Sequence, residues 1–384
     1  MKKMFFLKQC VKPFLTMIIK FFWLFPIKKN KVLFSAFSAR VYGDNPKYIA
    51  EKLLEVTTSV ECVFVLRQLP KESLIIPSEI KIVKYNTFRY LFELATAKVW
   101  VDNTRKQDFV VKRRGQIYIQ TWHGALPLKK IERDIESHLN KRYVRAAKRD
   151  SKMMNYLLTS SQYGKELFRN CFWYDGLIKV TGSPRLDKLI GNKNGLCKST
   201  MDELGLRPDI NYVLYAPTFR DNGDTDVYNL DFDKIVAFLS KKFKGTWKVI
   251  LKLHPNIRDE HINGGSNVIN ASLYPDIVDL FSVSKVLITD YSSSMFDFAL
   301  TKKPVFLLTF DLNSFLKVRK LYFNIRDLPF PVSMNMKEFQ DNIISFNNKD
   351  YESELGVFFN KLNILEDGGA SERIVSIIQK NLNY

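Results

Sequence analysis

The 384-residue sequence contains none of the short motifs by which the commonest nucleotide and metal enzymes are recognised. It has no GxxxxGKS or GxxxxGKT loop, which excludes a P-loop nucleotide hydrolase, and no GxGxxG after a strand-like segment. HExxH, clustered Cys and His, and a convincing DxD pair of carboxylates at a strand end are also absent. We therefore expect the protein to use neither a metal ion nor an organic cofactor.

Cysteine and long apolar runs are also scarce. The four cysteines (Cys10, Cys62, Cys171 and Cys197) form no CxxC pair and no regular framework, which is typical of free thiols in a reducing compartment. The most apolar stretch, residues 13–27, is interrupted by Lys20 and is shorter than the about 20 apolar residues that span a bilayer. Neither a transmembrane helix nor a cleaved signal peptide is predicted.

Positive charge is abundant and unevenly placed. The formal net charge is +19, and residues 1–29 hold seven lysines and no acid, while residues 105–152 hold fourteen Lys and Arg against five acids. Two local basic surfaces indicate a fixed anionic partner rather than a general solubility charge. Membrane lipid, a phosphorylated substrate and nucleic acid all remain compatible with this pattern.

Residues 1–29 place lysines beside Phe, Trp, Met and Ile, the composition of a helix lying in the membrane interface. We predict that these residues form an amphipathic, membrane-associating segment. Pro13 is expected to divide the segment into two helical pieces. The alternative is a helix packed on the body of the protein.

From residue 30 onward, short apolar strands alternate with helix-like stretches in two series. This alternation predicts an α/β fold with two Rossmann-like domains whose parallel sheets face a central cleft. We place the first domain at residues 30–190 and the second at residues 205–384. Ligands of such sheets bind at the carboxyl ends of strands, so candidate site residues should directly follow strands.

Two segments of the first domain meet this condition. In QTWHGALPLKK (120–130), His123 follows a strand and can accept a proton near neutral pH. Gly124 permits close approach to a ligand, and Pro127 is expected to begin a helix whose first N–H groups point at an anion. In VTGSPRLDKL (180–189), Arg185 can bind phosphate, and the alternative is a surface charge that pairs with Asp187.

Three segments of the second domain also follow strands. In LYAPTFRD (214–221), Pro217 and Thr218 stand at a strand end. In ILKLHPN (250–256), Lys252 and His254 alternate on a strand and suit a pyrophosphate. LITDYSSSMFDFAL (287–300) has the form strand, serine-rich turn, helix, which is a phosphate cradle or a simple helix cap. Its polar candidates are Ser292, Ser293 and Asp297.

Together these five segments, in this order and spacing, resemble the CDP-glycerol glycerophosphotransferase family of teichoic acid and related polymer synthesis. The resemblance runs from about residue 31 to residue 311, and SARVYGDNPKYIAEKL (38–53) resembles the early segment of that family. It implies a GT-B fold and transfer of glycerol phosphate from CDP-glycerol to a lipid-linked glycan acceptor of the undecaprenyl-diphosphate type, with release of CMP. It also implies a peripheral protein on the cytoplasmic side of the cell membrane.

The resemblance assigns roles to individual residues. It implies that His123 and the turn to Pro127 lie at the reaction centre. We predict that His123 and His254 are catalytic, with His123 as the general base. The resemblance implies contacts with substrate at Gly124, Ala125, Leu126, Pro127, Arg185, Pro217, Thr218, Lys252, Leu253, Ser292, Ser293 and Asp297.

Other functions remain open on the sequence alone. A CDP-ribitol phosphotransferase, or another GT-B transferase with a nucleotide-activated donor, would place similar groups at the strand ends. An anionic lipid or nucleic-acid binding protein would explain the charge but not the polar clusters, and we expect no nucleic-acid partner. The sequence does not decide between adding one unit and many, nor does it decide the oligomeric state.

Overall fold

The computed structural model describes residues 2–68, 76–124, 126–191, 193–220, 227, 230–253 and 265–382, with side chains from Lys12 onward. The chain divides into two compact units. The first comprises Met1–Ala125, Ile131–Asp187 and Ile364–Tyr384, and the second comprises Leu126–Lys130 and Lys188–Asn363.

The first unit is built on a seven-stranded, all-parallel sheet with the strand order β3-β2-β1-β4-β5-β6-β7. Helices cover both faces, which is why strands such as VFVL and VWV read as continuous apolar runs rather than alternating ones. The strands are β1 (Lys28–Ser35), β2 (Glu61–Leu66), β3 (Lys81–Lys84), β4 (Ala97–Asp102), β5 (Ile117–Gln120), β6 (Tyr156–Thr159) and β7 (Leu177–Val180).

The helices of this unit form two cores with the sheet. Three of them, α1, α3 and α5, contribute to one core, while α2 and the last helix, α14, contribute to the other. The helices are α1 (Lys2–Phe21), α2 (Asp44–Val56), α3 (Phe88–Thr96), α4 (Lys141–Met153), α5 (Gln162–Cys171) and α14 (Ala370–Leu382). Short 3-10 turns occur at Phe22–Leu24, Glu132–His138 and Pro184–Leu186.

The first helix, α1, is continuous and contains Pro13. The expectation that this proline divides the segment is therefore wrong. Proline removes one N–H and crowds a preceding carbonyl, but a helix tolerates it when packing holds the other turns. Ile19 is fully buried, and Ile18 and Trp23 pack against the same core. None of the helices in the described part of the chain has both the length and the apolar composition that crossing a bilayer requires.

The second unit has a six-stranded parallel sheet with the order β10-β9-β8-β11-β12-β13. Its large core side chains include Trp247, Phe281 and Phe298, all almost fully buried. The strands are β8 (Ile210–Tyr215), β9 (Thr246–Leu251), β10 (Val268–Asn270), β11 (Val286–Thr289), β12 (Val305–Leu308) and β13 (Val332–Ser333).

Helices of this unit follow the strands in the manner of a Rossmann-like domain. They are α7 (Lys193–Leu204), α8 (Phe232–Phe243), α9 (Ile277–Val283), α10 (Ser294–Ala299), α11 (Leu312–Val318), α12 (Met336–Ser345) and α13 (Asn348–Leu362). The short α6 (Asp187–Gly191) begins where the first unit ends, and a 3-10 turn lies at Ile325–Asp327.

The C-terminal segment packs with the first unit, which differs from the predicted second domain of 205–384. Asp187 accepts hydrogen bonds from the N–H groups of Ala370 (3.0 Å) and Ser371 (2.6 Å) at the start of α14. Ile374 and Ile378 of α14 are buried in the first-unit core. The amphipathic pattern of residues 370–382 indicates a helix from the sequence alone. Which of the two sheets the helix covers depends on these contacts with residues far away in the chain.

Gly182, in the turn after β7, lies against the backbone of the C-terminal segment. Its φ is +80°, and a Cβ there would lie 2.8 Å from the carbonyl oxygen of Leu365. Gly115, in the same unit, has a φ of +92°, but a Cβ there would meet only the tip of the Ile27 side chain at 3.4 Å. Both glycines have left-handed conformations, but of these two only Gly182 lies against another part of the backbone.

We therefore expect Gly182→Ala to destabilise the protein more than Gly115→Ala. Each substitution adds about 1 kcal/mol of left-handed strain, and at Gly182 the backbone clash adds about 1–3 kcal/mol more. Urea unfolding gives the two free energies, and hydrogen exchange should show the α14 amides losing protection only in Gly182→Ala. Equal destabilisation by the two variants would contradict this account.

Candidate functional site

His123 stands three residues after β5, in a turn beside the end of β4. Its Nδ1 lies 2.8 Å from the backbone carbonyl oxygen of Asn103. A carbonyl only accepts hydrogen bonds, so Nδ1 carries the proton and the lone pair of the neutral ring is on Nε2. The rings of Trp122 and Phe37 flank the imidazole at centroid distances of 4.3 and 5.6 Å. His123 is thus presented as a neutral base at Nε2.

The surroundings keep this imidazole neutral. Burial lowers the pKa of His123 below its ordinary value of 6.5, and the hydrogen bond to the Asn103 carbonyl and the charge of Asp44 partly oppose that shift. Arg185 also lowers the pKa of His123, while Glu132 raises it. A base that stays unprotonated at neutral pH is suited to taking a proton from a hydroxyl group.

Three residues that sequence reasoning missed connect the turn of His123 to its neighbours. The Asn103 side chain accepts from the Phe37 N–H (2.7 Å) and donates to Asp44 Oδ1 (2.9 Å). Asn45 Nδ2 donates to the carbonyl of Trp122 at 3.1 Å. Asp44, Asn45 and Asn103 are all buried. The available signals were GDNP at the start of α2 and the strand-ending Asp-Asn at 102–103.

Arg185 is brought to the same place. Its backbone N–H donates to Asn45 Oδ1 at 3.2 Å, and its guanidinium lies 3.6 Å from the Asp44 carboxylate. The alternative partner, Asp187, instead binds the N–H groups that open α14. Arg185 and His123 therefore share one network through residues 44 and 45.

The segment that follows His123 differs from what the sequence suggested. A methyl group added to the backbone of Gly124 would have no described atom within 4 Å, and Ala125 lies outside the described residues. Leu126 and Pro127 are buried. The expectation that Pro127 begins a helix is wrong, because residues 127–130 are not helical and Lys129 instead forms an isolated antiparallel bridge with Leu321.

In the second unit, Pro217 and Thr218 follow β8, beside the end of β11. The Thr218 N–H donates to Asp290 Oδ1 at 2.8 Å. Arg220 forms ion pairs with Asp290 and Asp311, each at 2.8 Å, and lies over the ring of Tyr291. The Arg220 guanidinium therefore stabilises this loop through its two ion pairs. The hydrogen bond from Thr218 to Asp290 fixes the backbone of residues 217–218 at the strand end.

The serine-rich turn before α10 does more than cap a helix. Ser293 occupies the N-cap position but makes no capping bond with its side chain. Its Oγ instead accepts from the N–H of Leu128 at 3.0 Å. Ser292 Oγ accepts from the N–H and the hydroxyl of Ser294, at 3.3 and 2.8 Å. Asp297 lies on the first turn of α10 and is buried.

The predicted pyrophosphate contacts after β9 are described only in part. Lys252 Nζ donates to the carbonyls of Ser272 (2.7 Å) and Tyr274 (2.6 Å), and burial lowers the pKa of this lysine. Leu253 is buried, and its N–H donates to Ser272 Oγ at 3.2 Å. His254 lies outside the described residues. Across the residues that the structure describes, no three His, Cys, Asp or Glu side chains gather as they would around a metal ion.

Comparison with known proteins adds the family to this geometry. The profile of the family described as CDP-Glycerol:Poly(glycerophosphate) glycerophosphotransferase matches residues 17–380. A teichoic acid glycerol-phosphate transferase of Staphylococcus aureus is 31% identical over 92% of this chain and 93% of that protein. A teichoic acid poly(glycerol phosphate) polymerase of Staphylococcus epidermidis is 29% identical over 93% of this chain and 51% of its own length. The chain thus spans about half of that polymerase.

Among solved structures, the wall teichoic acid polymerase TagF superposes with a TM-score of 0.84 at 27% identity, covering 100% of this chain and 97% of that one. Another structure of TagF is of a histidine-to-asparagine variant soaked with CDPG. The match confirms the predicted α/β, GT-B class. With the profile covering nearly the whole sequence, the chain belongs to the CDP-glycerol:poly(glycerophosphate) glycerophosphotransferase family of enzymes.

Proposed function

We propose that this protein transfers glycerol phosphate from CDP-glycerol to a lipid-linked glycan acceptor of the undecaprenyl-diphosphate type and releases CMP. The observation that carries the proposal is the neutral His123, whose Nδ1 is bonded to the Asn103 carbonyl at 2.8 Å so that Nε2 is the basic atom. Family membership supplies the donor class, and the TagF structure soaked with CDPG supports it.

In the proposed reaction an acceptor hydroxyl attacks the β-phosphorus of CDP-glycerol. The new P–O bond joins the acceptor to glycerol phosphate, and the bond to the bridging oxygen breaks, so that oxygen leaves with CMP. His123 Nε2 takes the hydroxyl proton, a role that commonly contributes a factor of about 10²–10⁴ in rate. Arg185 and the predicted cationic and hydroxyl groups, His254 among them, stabilise charge on the phosphates.

The same proposal includes peripheral attachment to the cytoplasmic face of the cell membrane. Phe14, Met17 and Phe21 of α1 recur at helical spacing and are 52%, 59% and 60% exposed. The side chains of Lys20 and Arg149 line a cavity of about 440 Å³ beside Met17. Apolar side chains next to cations suit the boundary between acyl chains and anionic headgroups.

Helix α4 adds a second basic surface to the first unit. Its Asp150 is buried and paired with Arg105 at 3.1 Å, which fixes the helix on the body of the unit. Six basic residues on the remaining face are exposed, a face suited to a diphosphate-bearing acceptor and to anionic lipid. They are Lys141, Arg142, Arg145, Lys148, Arg149 and Lys152.

The reaction is tested with purified protein, CDP-glycerol and a synthetic disaccharide-diphospholipid acceptor. We expect CMP release that depends on the acceptor, with mass spectrometry giving the number of glycerol phosphate units added. CDP-ribitol and a nucleotide sugar, assayed in parallel, measure donor preference. Faster turnover with either of these donors than with CDP-glycerol would overturn the assignment.

We expect His123→Ala and His254→Ala each to lower kcat for CMP release by about 10²-fold or more, because each removes a group used only as charge moves in the transition state. Circular dichroism and thermal unfolding check that both variants remain folded. His138→Ala is the matched control, because His138 is exposed at the end of a 3-10 turn and its Nδ1 bonds to the adjacent Ser137 hydroxyl at 3.0 Å. Near-normal CMP release by His123→Ala would remove the base from the mechanism.

Replacing Phe14, Met17 and Phe21 together by serine should weaken binding to vesicles containing anionic phospholipid. Each side chain would lose about 1 kcal/mol of apolar burial in the bilayer, so we expect at least about tenfold weaker sedimentation with vesicles. Leu273, Val318 and Val357, also exposed but on the second unit, provide a matched triple-serine control. Equal loss in the control, or none in the α1 variant, would contradict attachment through α1.

A further inference from the structure

The carboxylate of Asp44 connects the proposed base with the proposed phosphate-binding arginine. Its Oδ1 accepts from Asn103 Nδ2 at 2.9 Å, and its Oδ2 lies 3.6 Å from Arg185 Nη1. The residue is 8% exposed and follows Gly43 at the start of α2. We propose that Asp44 is a positioning residue that presents His123 and Arg185 as one preassembled unit. This inference rests on the proposed function.

The first link runs from Asp44 to His123 through Asn103. The Asn103 side chain is held at both ends, since its Oδ1 accepts from the Phe37 N–H at 2.7 Å while its Nδ2 donates to Asp44. Fixing that side chain fixes the peptide whose carbonyl accepts from His123 Nδ1. The tautomer and the ring orientation of His123 therefore depend indirectly on Asp44, through Asn103. A metal-ligating histidine depends in the same way on the group that hydrogen-bonds its second ring nitrogen.

The second link runs from Asp44 to Arg185. An ion pair at 3.6 Å in a buried setting restrains the position of the guanidinium, because separating two buried opposite charges costs free energy. The neighbouring Asn45 binds the N–H of Arg185 and the carbonyl of Trp122, at 3.2 and 3.1 Å. The turn of Arg185 and the turn of His123 are thus tied to the first two residues of α2.

Backbone strain at Asp44 supports a role beyond folding. Its φ of 54° is in the left-handed region, which costs a residue other than glycine about 1–3 kcal/mol. Trp122, directly before His123, is also left-handed with a φ of 52°. Strained residues persist where surrounding contacts over-determine them, and here one directly precedes His123 and the other belongs to the hydrogen-bond network that holds it.

The charge of Asp44 also bears on the titration of His123. The charged groups that act on the imidazole are Asp44 from α2, Arg185 from the turn after β7 and Glu132 from the 3-10 turn. The two carboxylates raise the pKa of His123 and Arg185 lowers it, while burial dominates and lowers it below 6.5. The acidic limb of kcat/KM should therefore lie below pH 6.5 in the native enzyme. Removing the charge of Asp44 should move that limb to still lower pH.

Asp44→Asn tests the proposal. Asp44 Oδ1 accepts from Asn103 Nδ2 and also from the Asn45 N–H at 2.8 Å. Asparagine tolerates the left-handed backbone and its oxygen can still accept both bonds, so we expect the fold to be retained. We expect kcat for CMP release to fall by about 10–100-fold, the usual loss for an outer partner, with the acidic limb at lower pH. Asp209→Asn, which removes a carboxylate from an exposed arginine pair, should leave kcat and the limb unchanged.

A second measurement does not depend on activity. In protein labelled with ¹⁵N-histidine, the His123 signals, identified by their absence in His123→Gln, should show the proton on Nδ1 in the native chain. In Asp44→Asn we expect a detectable fraction of the other tautomer. An unchanged tautomer together with native kcat and pH limb would overturn the proposal, as would a loss of activity that only follows a lowered unfolding midpoint. If His123→Gln keeps normal turnover, the assignment of His123 as the base is wrong. The tautomer measured in Asp44→Asn still tests whether Asp44 positions the His123 ring.

Discussion

Parallel pairing of β4 with β5 is the constraint on which the His123 site depends. The register sets Asp102 opposite Gln120, and the N–H of Thr121 continues the ladder to the Asp102 carbonyl at 2.8 Å. Both strands end at the same edge of the sheet, so the backbone carbonyl of Asn103 lies near enough to accept a hydrogen bond from His123. An antiparallel pairing would have placed these two residues at opposite ends of the strands.

The second unit repeats this arrangement with different chemistry. There β8 pairs with β11, and the residues that follow them meet when the N–H of Thr218 donates to Asp290. Arg220 is held by two carboxylates and is unavailable for the role that we propose for Arg185. Burying an arginine with two acids satisfies its donors, because an unpaired buried charge would cost several kcal/mol.

Packing and polar connections have separate roles within the first unit. Apolar side chains from α2 and α14 form one core with the sheet. The polar residues at the start of α2 are buried too, but they bind the turns of His123 and Arg185. In α1, by contrast, apolar side chains are exposed, because they face away from the core to which Ile19 belongs.

The α/β class, the two series of strands and the strand-end placement of His123, Arg185 and Thr218 could all be predicted from the sequence, because parallel sheets impose short apolar runs followed by polar turns. The partners of these residues could not. That Asp44 and Asn103 support His123, that Asp187 binds α14, and that Lys129 pairs with Leu321 all depend on contacts between segments far apart in the chain. Local sequence patterns do not specify contacts between distant segments, so these features are determined only by the tertiary structure.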